Sequence, residues 1–240
     1  QKSVGGAIKV EERVFTAGPA EIEALFAGEV DFGYIGPSPA INGFLKSNGQ
    51  ALEIIDVAAS GGASLIATKG REIKSLQDLA YKRIAVPQTG GTQDISLRHA
   101  LKEIGLSGKD KGGTVDIVQY APADVLDLFR RGELDAAWLP EPWVSRVIKD
   151  AGATLVTDER TLWPKGKFAT AVVIVRKDLA KANPDIVAKL LTAHRASEDA
   201  INADKTSAGT VISQQIAKLS QGKTLFPDVL NGSFSRTDIT

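Results

Sequence analysis

The sequence predicts an α/β fold of two lobes that enclose a cleft. Two observations support this: a helix–strand–helix unit occurs twice, and short apolar runs alternate with helical patterns along the chain. The chain has 240 residues, of which 43% are hydrophobic and 24% charged, enough for two lobes that each bury a core. We therefore expect a hinge between the lobes and closure around a ligand.

The repeated unit consists of a helix, a glycine, an acidic turn, an apolar strand and a Pro-X-Pro exit. Its first copy runs from Pro19 to Pro39 and its second from Pro122 to Pro142. Proline suits the first turn of each helix, where its missing N–H costs nothing, and the glycine supplies a left-handed cap. The apolar runs are typical of buried parallel strands, and a second helix is expected to begin at Pro39 or Pro142. Loops at the carboxyl ends of such strands bind ligands, so the two exits are candidate walls of one site.

The remaining segments continue the alternation of strands and helices. Further strands are expected at residues 52–59, 63–68, 83–86, 114–119, 155–156 and 171–175. Further helices are expected after an N-cap signal at Ser75, then at residues 92–104, 184–219 and 226–231.

The order of these elements predicts how the lobes are connected. The chain is expected to leave the first lobe near residues 70–82 and to return near residues 168–176. Lobe I then comprises residues 1–80 and 172–240, and lobe II comprises residues 81–171.

Composition excludes several classes of function. Lys and Arg together number 29, as do Asp and Glu, whereas proteins that bind nucleic acid normally carry a basic excess. Cys is absent, which excludes disulfides, a thiolate nucleophile and cysteine-ligated metal. His99 and His194 lack catalytic or ligating partners at a recognised spacing, and no phosphate-binding loop, nucleophile elbow or zinc motif occurs. We therefore expect a binding protein without catalytic residues, metal or cofactor.

Polar residues at helix starts are candidates for binding an anion. Helix N-termini present unpaired N–H groups and a partial positive charge, so they can hold an anion without Lys or Arg. Ser38, Thr92 and the predicted turn Ser60-Gly61-Gly62 lie at helix starts or strand exits, and Gln93 could complete a shell around an oxyanion. The alternative for Ser38 and Thr92 is that they are ordinary N-caps.

Glu141, Trp143 and Trp163 belong to the second lobe and its exit. A tryptophan beside the cleft could stack on an organic ligand, and a place in the core is the alternative. Glu141 could orient a ligand amine, meet the other lobe on closure, or act as an acid at a helix N-terminus.

Five segments together resemble a known family: residues 14–19, 36–42, 60–64, 84–90 and 139–143. In order and spacing they resemble the periplasmic substrate-binding proteins of ABC importers for aliphatic sulfonates, taurine and nitrate. The similarity covers nearly the whole chain. It implies a type II periplasmic-binding-protein fold, with two α/β lobes, a hinge and an interlobe cleft, that docks onto a membrane permease.

The resemblance also implies which residues line the cleft. The expected ligand-binding residues are Ser38, Pro39, Ser60, Gly61, Gly62, Gln88, Gly91, Thr92, Gln93, Glu141, Trp143 and Trp163. The expected ligand is a small organic oxyanion, an aliphatic sulfonate or taurine. Relatives also handle nitrate, bicarbonate, aromatic acids and pyrimidine precursors of thiamine, so its identity stays open.

The family further implies a monomer in the periplasm, or an extracellular lipid-anchored protein in a single-membrane bacterium. It opens with a strand and helix that would precede Gln1, and Met is absent, so part of the site is expected upstream. The alternatives are a biosynthetic enzyme of the same fold, of the thiamine-pyrimidine-precursor type, and a regulatory effector-binding domain.

Overall fold

The computed structural model describes residues 8–219 and 225–240, so the prediction about the segment around Gln1 lies outside the described residues. The strands of these ranges form two separate sheets. The first has the order β1–β8–β2–β9, and its strands are β1 (Phe32–Ile35), β2 (Leu52–Gly61), β8 (Ala169–Arg176) and β9 (Thr237–Ile239). Every pairing described in this sheet is antiparallel.

The second sheet has the order β5–β4–β6–β3–β7. Its strands are β3 (Ala63–Ala67), β4 (Arg83–Val86), β5 (Asp116–Gln119), β6 (Ala136–Pro140) and β7 (Thr154–Asp158). The strand β4 is parallel to β5 and β6, whereas β3 is antiparallel to β6 and β7.

The parallel strands predicted for both repeat copies occur in one of them. In the second copy, β6 pairs in parallel with β4, but in the first copy β1 pairs antiparallel with β8. The strands β1 and β8 run in opposite directions, because β1 ends near Gly36 at the cleft, whereas β8 begins there, at Thr170 and Ala171.

The helices follow the predicted alternation. They are α1 (Gly18–Phe26), α2 (Pro37–Lys46), α3 (Thr92–Glu103), α4 (Pro122–Arg130), α5 (Trp143–Ala151), α6 (Lys177–Ala182), α7 (Pro184–Ala203), α8 (Lys205–Leu219) and α9 (Pro227–Arg236). The two repeat copies are α1–β1–α2 and α4–β6–α5. Gly28 and Gly132 follow their first helices with φ of 74° and 68°, as the left-handed cap predicts. No helix within the described ranges has the length and apolarity needed to cross a membrane.

Each lobe has its own hydrophobic core. In the first lobe, Leu25 and Ile174 are buried between the sheet and α1. In the second, Trp138 packs on one face of the sheet and Leu139 on the other, and both are fully buried. Because side chains alternate along a strand, burial of neighbouring residues means that both faces are covered. The buried strands form a frame that fixes the loops at their ends.

The chain first crosses between the sheets at Gly61 and Gly62. The strand β2 continues through Ser60 and Gly61, and β3 begins at Ala63 in the other sheet, so the predicted turn at Ser60-Gly61-Gly62 is a direct crossing. Both glycines have positive φ, 73° and 74°, which favours glycine over other residues. The crossing therefore lies upstream of the expected range 70–82, and β3 belongs to the second sheet.

The C-terminal segment contacts both lobes, although the sequence assigned all of it to lobe I. The helix α9 packs against α5 of the second lobe, and β9 then pairs with β2 in the first sheet. The carbonyl of Arg236, the last residue of α9, accepts a hydrogen bond of 2.7 Å from the N–H of Gly62. This segment thus lies directly against the crossing.

Candidate functional site

A cavity of about 350 Å³ lies between the two lobes. The first lobe and the C-terminal strand contribute Thr16, Ala17, Gly18, Gly36, Pro39, Ala59, Gly61, Thr170, Ala171 and Thr237. The crossing and the second lobe contribute Gly62, Pro87, Gln88, Gly91, Thr92, Gln93, Pro122, Pro140, Glu141 and Trp143. Both Pro-X-Pro exits therefore contribute to the wall of one cleft.

Besides α5, whose first-turn N–H of Ser145 is bonded to Glu141, four helices begin at this cleft, α1 and α2 from the first lobe and α3 and α4 from the second. None has a side-chain hydrogen bond at its N-cap, and the N-cap residues are Ala17, Gly36, Gly91 and Ala121. The alternative that Ser38 and Thr92 are N-caps is therefore wrong. The first-turn N–H groups of a helix have no intrahelical partner and carry a partial positive charge. Proline in the first turns of α1, α2 and α4 removes some of these donors, whereas the first turn of α3 contains no proline. Among the described lining residues there is no Lys or Arg, so these helix ends are what the cleft offers to an anion.

Thr92 carries a hydroxyl that is buried in the cleft without a hydrogen-bond partner. The residue is 8% exposed and occupies the first turn of α3. Its Oγ1 lies against Gly36 of the other lobe, in the space that a Cβ at Gly36 would occupy. A buried hydroxyl without a partner is costly, so a ligand that bonds to it gains that interaction.

Glu141 is the charged residue among the described lining residues, and protein donors hold both oxygens of its carboxylate. Its Oε1 accepts a hydrogen bond of 2.6 Å from Arg236 Nε, and its Oε2 accepts from Ser145 N and Ser233 Oγ at 3.1 and 3.0 Å. Since Ser145 lies in the first turn of α5, Glu141 is indeed an acid at a helix N-terminus. Its ionic partner lies in α9, and the prediction that it orients a ligand amine stays a prediction.

The cleft brings together most of the predicted ligand-binding residues. Those that line it are Pro39, Gly61, Gly62, Gln88, Gly91, Thr92, Gln93, Glu141 and Trp143. Ser38, Ser60 and Trp163 do not line it. Successive helical residues point about 100° apart, and successive strand residues point to opposite faces, so the neighbours of Ser38 and Ser60 reach the cleft instead.

Trp163 has another environment. Its ring stacks on Phe168 with centroids 5.5 Å apart, and its Nε1 donates to Glu159 Oε1 at 3.3 Å. Glu159 is 1% exposed and also accepts from Ser96 Oγ and Trp138 Nε1, at 2.6 and 2.8 Å. Burial raises the pKa of Glu159, although the three hydrogen bonds oppose this. Trp163, itself 43% exposed, thus donates to a buried carboxylate of the second lobe.

Several lining residues were not predicted. Thr16 to Gly18 and Pro122 lie at the starts of α1 and α4, and the repeat already marked these helix starts at Pro19 and Pro122. The same reasoning that selected Thr92 would have found them. Thr237 reaches the cleft only because β9 pairs with β2, and no local pattern signals this.

Other titratable groups lie outside the lining. Burial raises the pKa of Glu21, a buried residue of α1, to about 7. His194 is 4% exposed, and its Nδ1 lies 3.1 Å from Tyr34 Oη, away from the cleft. Among residues 8–219 and 225–240, no cluster of His, Asp and Glu side chains could hold a metal ion.

Comparison with known proteins identifies relatives over most of this chain. The model of the NMT1-like family matches residues 2–217. A protein of Brucella abortus (strain 2308) is 31% identical over 194 residues, which are 80% of this chain and 57% of that protein. The taurine-binding periplasmic protein of Escherichia coli (strain K12) is 33% identical over 178 residues, 74% of this chain and 53% of that protein. The chain therefore spans little more than half the length of these relatives.

A solved structure has the same fold. The alkanesulfonate-binding protein of Xanthomonas axonopodis pv. citri, bound to MOPS, superposes with a TM-score of 0.75 at 22% sequence identity. The match covers 94% of this chain and 74% of that one. The predicted periplasmic-binding fold is thus confirmed.

Proposed function

Because this chain belongs to the NMT1-like family, we propose that it is the solute-binding component of an ABC importer. It captures a small organic oxyanion, an aliphatic sulfonate or taurine, in the cleft between its lobes. Relatives named for taurine and alkanesulfonates support this ligand class. Those relatives are binding proteins rather than enzymes, and neither His99 nor His194 is among the described residues that line the cleft.

The convergence of four uncapped helix N-termini on one cleft carries this proposal. A sulfonate stays ionised at neutral pH and spreads its charge over three oxygens, so several N–H groups can bond to it at once. The Thr92 hydroxyl adds a further donor. A volume of about 350 Å³ is at the small end of ligand pockets, and Trp143 and the prolines give an apolar surface for a short carbon chain.

Thermal unfolding of the intact protein with a panel of anions tests the proposal. The panel comprises taurine, ethanesulfonate, nitrate, bicarbonate and an aromatic acid. A ligand at 100 times its dissociation constant stabilises the native state by about 2.7 kcal/mol, which raises the Tm by several degrees. We expect taurine or ethanesulfonate to give the largest shift. If no member of the panel shifts the Tm, the proposed function is contradicted.

The proposed partner is a membrane permease, and the proposed location is the periplasm or the outer surface of a single-membrane cell. The Escherichia coli relative is a taurine-binding periplasmic protein, which supports this location. We expect a monomer, which light scattering during size-exclusion chromatography measures directly. Turnover of a bound metabolite would favour a biosynthetic enzyme instead.

A further inference from the structure

A single carboxylate lies in the wall of a cleft that otherwise suits an anion. The Glu141 side chain is only 5% exposed, and an unpaired carboxylate in this position would repel an anionic ligand. Arg236, whose side chain is 18% exposed, pairs with it through a bond of 2.6 Å. The pair as a whole is neutral, so the helix N-termini still determine the charge preference of the rest of the cleft.

The carboxylate of Glu141 is held in one orientation. Its Oε2 accepts from Ser145 N and Ser233 Oγ, and its Oε1 accepts from Arg236 Nε. The guanidinium is itself fixed, because Arg236 Nη2 donates to Ser145 Oγ at 2.6 Å. A carboxylate offers about four acceptor positions, so one of them, on Oε1, is left by these three bonds.

We propose that this remaining position of Glu141 binds the ammonium group of a zwitterionic ligand. The anionic end of the same ligand lies at the N-termini of α2 and α3, beside the Thr92 hydroxyl. Arg236 is a positioning residue: it orients the carboxylate and compensates its charge. The ligand class is then a short amino-sulfonate or a similar zwitterion, preferred over a simple sulfonate. This inference rests on the proposed function and narrows its ligand.

The contact between α5 and α9 supplies a matched control. Lys149 Nζ of α5 lies 2.8 Å from Asp228 Oδ2 of α9, and neither residue lines the cleft. The substitution Lys149→Ala therefore weakens the same helix–helix contact without touching Glu141. A change that follows from loosened packing of α9 will appear in this variant too.

Calorimetric titration with taurine and with ethanesulfonate, which lacks only the amino group, tests the inference. The wild-type protein is expected to bind taurine more tightly. Glu141→Gln should weaken taurine binding by about tenfold or more, because a bond to a charged partner is lost, and leave ethanesulfonate binding equal or tighter. Lys149→Ala should change neither affinity.

Arg236→Ala is an independent test, because it should change the relative affinities for the two ligands in the opposite direction to Glu141→Gln. It leaves the Glu141 charge uncompensated, so ethanesulfonate should lose more affinity than taurine, and Arg236→Lys should restore part of the loss. The inference is overturned if the wild-type protein binds both ligands equally, or if Glu141→Gln weakens both to the same degree. Binding of neither ligand by the wild-type protein would overturn the proposed function as well.

Discussion

The substitution Gly36→Ala adds one methyl group where the two lobes meet, and it therefore tests the contact between them. The Gly36 φ of −65° and ψ of 147° are ordinary for an L-residue, so Gly36→Ala introduces no backbone strain. The added Cβ would lie closer to Thr92 Oγ1 than the 3.0 Å limit of real Cβ contacts, and 3.3 Å from Thr92 Cβ. Since Gly36 precedes α2 and Thr92 begins α3, the overlap arises between the lobes.

Overlap of this kind costs about 1–3 kcal/mol. If the ligand binds where the lobes meet, the affinity for taurine should fall by about 5- to 150-fold. Thr92 is β-branched and stiff, whereas serine can turn its hydroxyl aside. The double variant Gly36→Ala with Thr92→Ser should therefore recover part of the affinity.

Calorimetric titration of the three proteins with taurine measures both effects. Gly209→Ala is the matched control, because its Cβ would make an ordinary contact of 3.4 Å with Leu230 Cδ1 in the C-terminal helices. It should leave the affinity unchanged. The reasoning is refuted if Gly36→Ala binds taurine as the wild-type protein does, or if the double variant is no better than Gly36→Ala.

Three further predictions concern single side chains. Because burial raises the pKa of Glu21 from 4.5 to about 7, the free energy of unfolding should fall as pH rises through this interval, by at most about 3 kcal/mol. Glu21→Gln should abolish that dependence in urea denaturation at pH 5 and pH 8, and an unchanged pH profile would contradict it. Glu159→Gln places an amide N–H₂ group against the indole N–H donors of two tryptophans, so the free energy of unfolding should fall by about 2 kcal/mol and the tryptophan fluorescence should shift. Identical unfolding curves for the variant and the wild-type protein would contradict a stabilising role of the Glu159 hydrogen bonds. Thr92→Ala should weaken taurine binding about tenfold, whereas Ser38→Ala, which lies outside the lining, should not; titration that ranks them in reverse would contradict the assignment.

Much of the fold could be predicted because its signals are local. Glycine after an apolar helix, proline in a first helical turn and the Ser75–Asp78 capping box each act within a few residues, and the structure contains them. It was harder to predict which of the two sheets each strand joins. The predicted boundary near residues 70–82 was misplaced because β3 looks like any apolar strand, and only its pairing with β6 and β7 assigns it to the second lobe.

The residues of the cleft were likewise predicted only in part. Helix starts and strand exits identified Thr92, Gly61 and Glu141, which line it. Ser38 and Ser60 were chosen for their hydroxyl groups, but helical and strand geometry decides which neighbour faces the ligand. The pairing of Glu141 with Arg236 joins residues 95 positions apart, and no local pattern could predict it.

A crystal structure of the protein with taurine tests the central proposal most directly. We predict one molecule in the cleft, with its sulfonate oxygens within hydrogen-bond distance of first-turn N–H groups of α2 and α3. A sulfonate bound instead at the basic groove lined by Lys69, Arg130 and Arg131, or an empty cleft at saturating taurine, would contradict it.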